Sequence, residues 1–218
     1  ISLDTFAAQY PKNMQLNGLL NGKVELQLTP KRTGVLRLVT EDAWVEYADG
    51  PTDGQRYPFN VKLHADLDGD RLESQLLLET IKQGKVSGEV TVNRVSSLDH
   101  AELAGAVSVR LPDLSFVNPL QSALAKVDGA LSADATFKGA VDNPLLTSLN
   151  ASVNNVRFFV PAAGIDVTDI NLTVAKDTQQ DALLSGTAQI GTQTVRLNGK
   201  INQSQSQGVE PVSYTHLT

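Results

Sequence analysis

Between Val127 and Val174 apolar and polar residues alternate with a period of two. Val127, Leu131, Ala133, Ala135 and Phe137 fall on one face, and Asp128, Ser132, Asp134 and Thr136 on the other. After a turn at Asp142-Asn143-Pro144 the alternation resumes through Leu149, Ala151 and Val153, slips by one residue at Asn154-Asn155, and continues with Val156 and Phe158. Pro161-Ala162-Ala163-Gly164 turns the chain again. Ile165 and Val167 lead, past a second slip at Thr168-Asp169, to Ile170, Leu172 and Val174. Period two marks strands with one dry and one wet face, and a one-residue slip marks a β-bulge. The pattern predicts an all-β fold, a long, mostly antiparallel meandering sheet with one apolar face.

The rest of the chain follows the same rule. Val24, Leu26 and Leu28 alternate, a turn spans Thr29 to Gly34, and Val35–Val39 and the group Trp44, Val45, Tyr47 follow. Phe59, Val61, Leu63, Ala65 and Leu67 form the cleanest strand, and Asp68-Gly69 reads as a two-residue hairpin turn. Leu72, Leu76 and Leu78 return from it, Gln83-Gly84 turns again, and Val86, Val90, Val92 and then Leu103, Val107, Val109 and Leu111 continue. Leu184, Ala188 and Ile190 turn through Gly191 into Val195, Leu197 and Ile201. Pro112–Lys126 breaks the pattern: Leu114, Val117, Leu120 and Leu124 have helical spacing. Leu3, Phe6 and Ala7 hint at a second helical piece, so the fold is expected to carry one or two short helices.

A shift of 111 residues superposes Leu3 on Leu114, Gly18 on Gly129, Val45 on Val156, Tyr47 on Phe158, Val61 on Leu172 and Gly88 on Gly199. The expected organisation is therefore an elongated β-region over residues 1–202, in two repeats, 1–111 and 112–202. Residues 203–218 lose the alternation and read as a disordered polar tail. Its last stretch, Val212 to Thr218, fits nothing upstream and reads as non-native sequence. The abrupt start at Ile1, inside an apolar pattern, reads as a piece whose targeting segment lies upstream.

Composition removes several function classes. A net charge of −6 and a pI near 5.0 give no positive field for phosphates, so no nucleic-acid partner is expected. No run of 18 apolar residues occurs, and there is no cysteine for thiolate metal sites. His64, His100 and His216 are far apart, and His64 sits on the polar side of its strand. Asp66, Asp68 and Asp70 resemble the start of a calcium loop, without the acidic residue that closes one. Gly18-Leu19-Leu20-Asn21-Gly22-Lys23 is one residue short of a P-loop. No catalytic residue, metal site or cofactor is expected, and the chain does not read as an enzyme.

What remains is the apolar face, to which alternation assigns Val61, Leu63, Leu76, Leu78, Val107, Val109, Leu131, Phe137, Val156, Phe158, Ile170, Leu172, Val174 and Leu197. Such a face must be covered by helices, by a second sheet or by itself, and helices are too few here. Two readings stay open: a sandwich or barrel core, or a trough whose apolar side chains line a groove.

The run from Leu111 to Thr173 resembles the TamB family of translocation and assembly module subunits, within the AsmA-like, bridge-like lipid transfer group. The resemblance rests on Leu111-Pro112-Asp113-Leu114, Val127-Asp128-Gly129-Ala130-Leu131, Phe137-Lys138-Gly139, Asp142-Asn143-Pro144-Leu145, Pro161-Ala162-Ala163-Gly164-Ile165 and Thr168-Asp169-Ile170. It extends in weaker form to Leu16-Asn17-Gly18. It implies a curved, taco-like sheet whose apolar interior, lined by the residues just named, shields phospholipid acyl chains between the inner and outer membranes and supports outer-membrane protein assembly. It further implies a periplasmic protein anchored upstream in the inner membrane, with an outer-membrane barrel, TamA, as partner. The family's far C-terminal, partner-binding strands have no counterpart here, so that contact is expected of the full-length protein. The alternative is a structural or adhesive β-solenoid or sandwich segment without a conduit.

Overall fold

The computed structural model describes residues 1–5, 14–47, 54–80, 83–120, 123–176, 181–201 and 211–217. Their strands are β1 (Met14–Gln27), β2 (Thr33–Tyr47), β3 (Arg56–Asp68), β4 (Arg71–Thr80), β5 (Lys85–Asn93), β6 (Glu102–Leu111), β7 (Ala125–Ala140), β8 (Asn143–Val160), β9 (Ile165–Lys176), β10 (Ala182–Ile190), β11 (Gln193–Ile201) and β12 (Pro211–Leu217). They form one sheet in which strand order is chain order. The all-β antiparallel meander expected from the alternation is what the chain adopts. The chain divides into two compact units, Ile1–Ser108 with Thr136–Leu145, and Val109–Ala135 with Leu146–Thr218.

In the first unit the turns set the register. Gly69, with φ of +63°, and Asp70 close the β3–β4 hairpin, and Asp68 pairs with Arg71. The turn thus sits one residue beyond the Asp68-Gly69 step that the sequence suggests. Gln83, at φ of +65°, turns β4 into β5, where the Thr80 N–H donates to the Gly84 carbonyl at 2.8 Å. In the second unit Pro161–Gly164 and Gly191-Thr192 turn the chain as expected, with Gly164 and Gly191 both near φ of +60°.

The slips in the alternation are bulges. β8 is irregular between Val153 and Phe158, with Asn155 at φ of +51°. β9 carries Asp169 at φ of +50° where its pairing with β10 shifts. β2 has a further bulge with Asp42 at φ of +49°. A bulge takes backbone donors off the ladder, and such groups are costly unless satisfied; at the β2 and β8 bulges side chains take them. The Thr40 hydroxyl accepts from the Val61 N–H at 2.8 Å, and the Asn171 side-chain oxygen accepts from the Asn155 N–H at 3.0 Å.

Two expectations are corrected. Pro112–Lys126 does not form the expected α-helix: among its described residues only Ser115–Leu120 is helical, as a 3-10 turn, and β7 has begun by Ala125. Side chains take the backbone groups an α-helix would use. The Asp113 carboxylate accepts from the Ser115 N–H, and Asn118 donates to the carbonyls of Ser115 and Val127 while accepting from the Val127 N–H. The other helical piece near the start is a 3-10 turn over residues 3–5; Phe6 and Ala7 lie outside the described residues. The second correction concerns the tail. Residues 202–210 lie outside the description, but Pro211–Leu217, expected to lack regular structure, pair with β11 from Ile201↔Pro211 to Val195↔Leu217. Alternation is not needed for a strand to add to an open sheet edge, because the ladder is made by backbone groups.

Candidate functional site

Register carries the apolar face across each unit, because directly paired residues point to the same side. In the first unit Leu38 pairs with Leu63, Leu63 with Leu76 and Leu76 with Gly88. One row along, Val61 pairs with Leu78 and Leu78 with Val86; on the other side Leu67 pairs with Leu72 and Leu72 with Val92. The opposite face carries Lys62, His64, Asp66, Glu73, Gln75 and Glu89. Val107 joins the apolar side, since its methyl lies 3.7 Å from where a Gly88 side chain would project.

In the second unit Val153 pairs with Leu172, Leu172 with Gly186 and Gly186 with Leu197. Ala151, Val174, Leu184 and Gly199 make the next row. Past the β8 bulge the apolar side continues through Val156↔Ile170 and Phe158↔Val167, as the one-residue slip requires. The reverse face is polar and internally bonded. Ser132 and Ser152 hydroxyls lie 2.8 Å apart, as do Thr173 and Ser185, and Arg110 binds both carboxylate oxygens of Asp134. Leu131 and Val109, each the neighbour of one of these residues in its strand, therefore belong to the apolar side.

The fourteen residues that alternation selects thus lie on the apolar sides of their strands, but in two different settings. Val156 and Ile170 are buried in a cluster with Val167 and Ala188, against which Leu114, Val153, Phe158 and Leu172 pack. The chain just ahead of the 3-10 turn, at Leu114, caps that end of the face. Elsewhere the face is half-exposed: Val61, Leu63, Leu78, Val107, Val109, Leu131, Phe137, Val174 and Leu197 are intermediate, and Leu76 is 41% exposed. Among the described residues no large side chain is fully buried.

Sequence reasoning missed the device that shapes this face. Glycines in the apolar rows sit under large side chains of the next strand: Gly22 under Leu38, Gly105 under Phe137 and Gly186 under Leu172. A side chain at Gly105 would meet the Phe137 ring at 2.6 Å. The signal was available as a glycine at an apolar position of an alternating strand. Gly18 and Gly129 act differently. Their φ values are +123° and +117°, and a Cβ on either would come within 2.6 Å of a backbone Cα across the ladder, Ala43 or Val156. Ala43 and Val156 each follow a left-handed residue, Asp42 or Asn155, so the two units contain the same bulge. The 111-residue shift relates the glycines, whereas Ala43 and Val156 are 113 apart.

The titratable groups belong to the polar side and to turns. His64 Nε2 meets Asp66 at 2.6 Å, Asp68 pairs with Lys31, and Asp70 accepts from the Ser96 N–H at 2.8 Å. The three aspartates of the calcium-like run are thus each engaged with a different partner. Hydrogen bonds from Ser96 hold the Asp70 carboxyl below the ordinary carboxylate range. The Gly129 N–H, then the Arg157 guanidinium, do the same for Asp128. His100, with Arg94, Lys138, Leu103 and Leu145, borders an open pocket of about 630 Å³. No group of residues able to hold a metal ion occurs among the described residues.

In each unit the antiparallel sheet thus has a polar side and an aliphatic side that is incompletely packed among the described residues. Residues 1–147 match the family described as TamB, N-terminal domain, and the chain belongs to the TamB family. It is similar to the translocation and assembly module subunit TamB of Haemophilus influenzae, with 21% identity over 142 residues. That match covers 65% of this chain and 11% of the relative, so the chain spans about a tenth of the relative's length. No solved structure matches.

Proposed function

We propose that this region is part of a periplasmic, TamB-like conduit, in which the aliphatic faces of the two units shield phospholipid acyl chains travelling between the inner and outer membranes. In the full-length protein it supports outer-membrane protein assembly together with a TamA-like barrel, the anchor to the inner membrane lying outside this chain. Among the described residues no helix is long and apolar enough to cross a membrane. The observation that carries the reading is the pair of half-exposed aliphatic rows, Leu38, Leu63 and Leu76 in one and Val61, Leu78 and Val86 in the next. Water against such a row costs roughly 25 cal/mol per Å² of apolar area, and an acyl chain removes that cost without needing a polar partner. Membership of the TamB family supports the assembly role. No catalytic step is part of the proposal.

Photo-crosslinking residues in the full-length protein in living cells test it. Val107 and Leu131, on the apolar side, capture phospholipid, whereas Ser108 and Ser132, one step along the same strands, do not. Capture of protein alone at Val107 and Leu131 overturns the conduit in favour of a filled interior, since close-packed cores leave no room for an acyl chain.

A further inference from the structure

Gly88 lies in the middle of the apolar side of β5, between Val86 and Val90. Across the sheet it pairs with Leu76 of β4, and a Val107 methyl of β6 stands on its other side. A glycine inside a strand weakens it, so its presence calls for a reason in the fold or in a ligand. Elsewhere the fold supplies one. A Cβ on Gly22, Gly34, Gly105 or Gly186 would stand 2.4–3.0 Å from its nearest neighbour. On Gly88 it would meet the Ala106 carbonyl oxygen and the Val107 methyl at 3.7 Å each, ordinary van der Waals distances, and the backbone there is outside the left-handed region. Alanine fits, and the packing of the sheet does not ask for glycine.

What the glycine leaves is a pit in the aliphatic face. Leu76 and Val107 wall it across the strands, Val86 and Val90 along β5; Leu76 is 41% exposed and the other three are half-exposed. Strands are about 4.8 Å apart, so one missing side chain opens a gap about one alkyl chain wide. β5 is bonded to β4 and β6, which takes up the backbone groups of the floor, and no wall side chain carries a donor, an acceptor or a charge. A ligand held there contributes hydrocarbon and nothing polar. The second unit repeats the register: Leu184 pairs with Gly199 as Leu76 pairs with Gly88, and the two glycines are related by the 111-residue shift of the sequence repeat.

Building on the acyl-chain reading above, we propose that Gly88 is a specificity-determining residue of the apolar face, the point at which an acyl chain comes down against the backbone. Over Gly105 that place is taken by Phe137 of the neighbouring strand; over Gly88 it is left to the ligand. Side-chain size at this position then sets how closely the chain is held.

The test introduces Gly88→Ala and Gly88→Leu into the full-length protein carrying a photo-crosslinking residue at Val107. With glycine at 88 the probe captures phospholipid. Capture falls about threefold with alanine and about tenfold or more with leucine, and stays within about twofold for Ser87→Leu, on the polar side of the same strand. Alanine is too small to intercept the probe, and an envelope-integrity assay without the probe falls in the same order. The folding equilibrium constant of Gly88→Ala rises about two- to fivefold, as expected for alanine over glycine in a strand, which separates lost binding from lost folding. Equal capture with glycine, alanine and leucine overturns the role of Gly88 and leaves the conduit standing. So does an alanine variant less stable than the parent, since the fold would then need the glycine. Protein captured in place of lipid gives the pit to a protein partner and overturns the acyl chain as occupant. No capture at all with glycine at 88 overturns the conduit, and the role of Gly88 with it.

Discussion

Replacing Gly129 by alanine tests the bulge that turns Val156 and Phe158 onto the apolar side. The φ of +117° lies beyond the ordinary left-handed well, where a side chain costs about 1–3 kcal/mol. The new Cβ would also stand 2.6 Å from both the Cα and a methyl of Val156. The Cα cannot move aside by rotation, so β8 must shift by most of an ångström, which adds roughly 1–3 kcal/mol of overpacking. The expected loss for Gly129→Ala is therefore about 2–6 kcal/mol. Gly164→Ala is the control: its φ is +65° with nothing within 4 Å, so only the left-handed cost of about 1–2 kcal/mol remains. Chemical unfolding of the two variants, with amide exchange across β8 and β9, reads the difference. A Gly129→Ala variant as stable as Gly164→Ala would show that the close approach to Val156 is not needed, and would remove the bulge as a reason for the glycine.

Polarity divides the faces in a second way: Leu63→Arg and Leu172→Arg impair full-length function in an envelope-integrity assay more than His64→Arg and Thr173→Arg do, at matched expression and folding. A charge facing a desolvated path costs several kcal/mol or draws in water, and equal effects on both faces would remove the apolar row from the mechanism. Asp128 gives a pH dependence. Its carboxyl is depressed in the fold, chiefly by the Gly129 N–H and then by Arg157, so its contribution is present above the ordinary value of 3.8 and lost as pH falls through the lower folded value. The stability gap between the wild-type chain and Asp128→Asn is expected to be constant near neutrality and to close in acid; a gap that widens in acid would contradict the assignment.

Which side of each strand is apolar was legible because strand geometry enforces a strict period of two, and because a bulge writes itself into the sequence as one extra residue. Val153, Val156 and Phe158 show this: their spacing alone places the irregularity that the register contains. The segment at Pro112–Lys126 was not legible, because its apolar spacing suits an α-helix while the competing hydrogen bonds of Asp113 and Asn118 depend on where β7 begins. Nor does periodicity tell a filled face from an open one. Val156 and Leu63 have the same pattern, yet Leu114 helps bury the first while the second stays half-exposed. The strand at Pro211–Leu217 escaped for a related reason, since its pairing depends on the edge that β11 offers more than on its own composition.

Strand order that equals chain order makes the sheet a nearest-neighbour system. Each strand finds its partners in the stretches made immediately before and after it, so assembly can proceed from one end as the chain emerges through a narrow channel, without waiting for a distant segment to close a fold. Contacts of short sequence separation also favour rapid zipping. A lesion in one hairpin costs its own ladder and those beside it, and the remainder keeps its pairing, as in other one-dimensional arrays. Whole hairpins can therefore be gained or lost in steps of two strands without redesign of the rest.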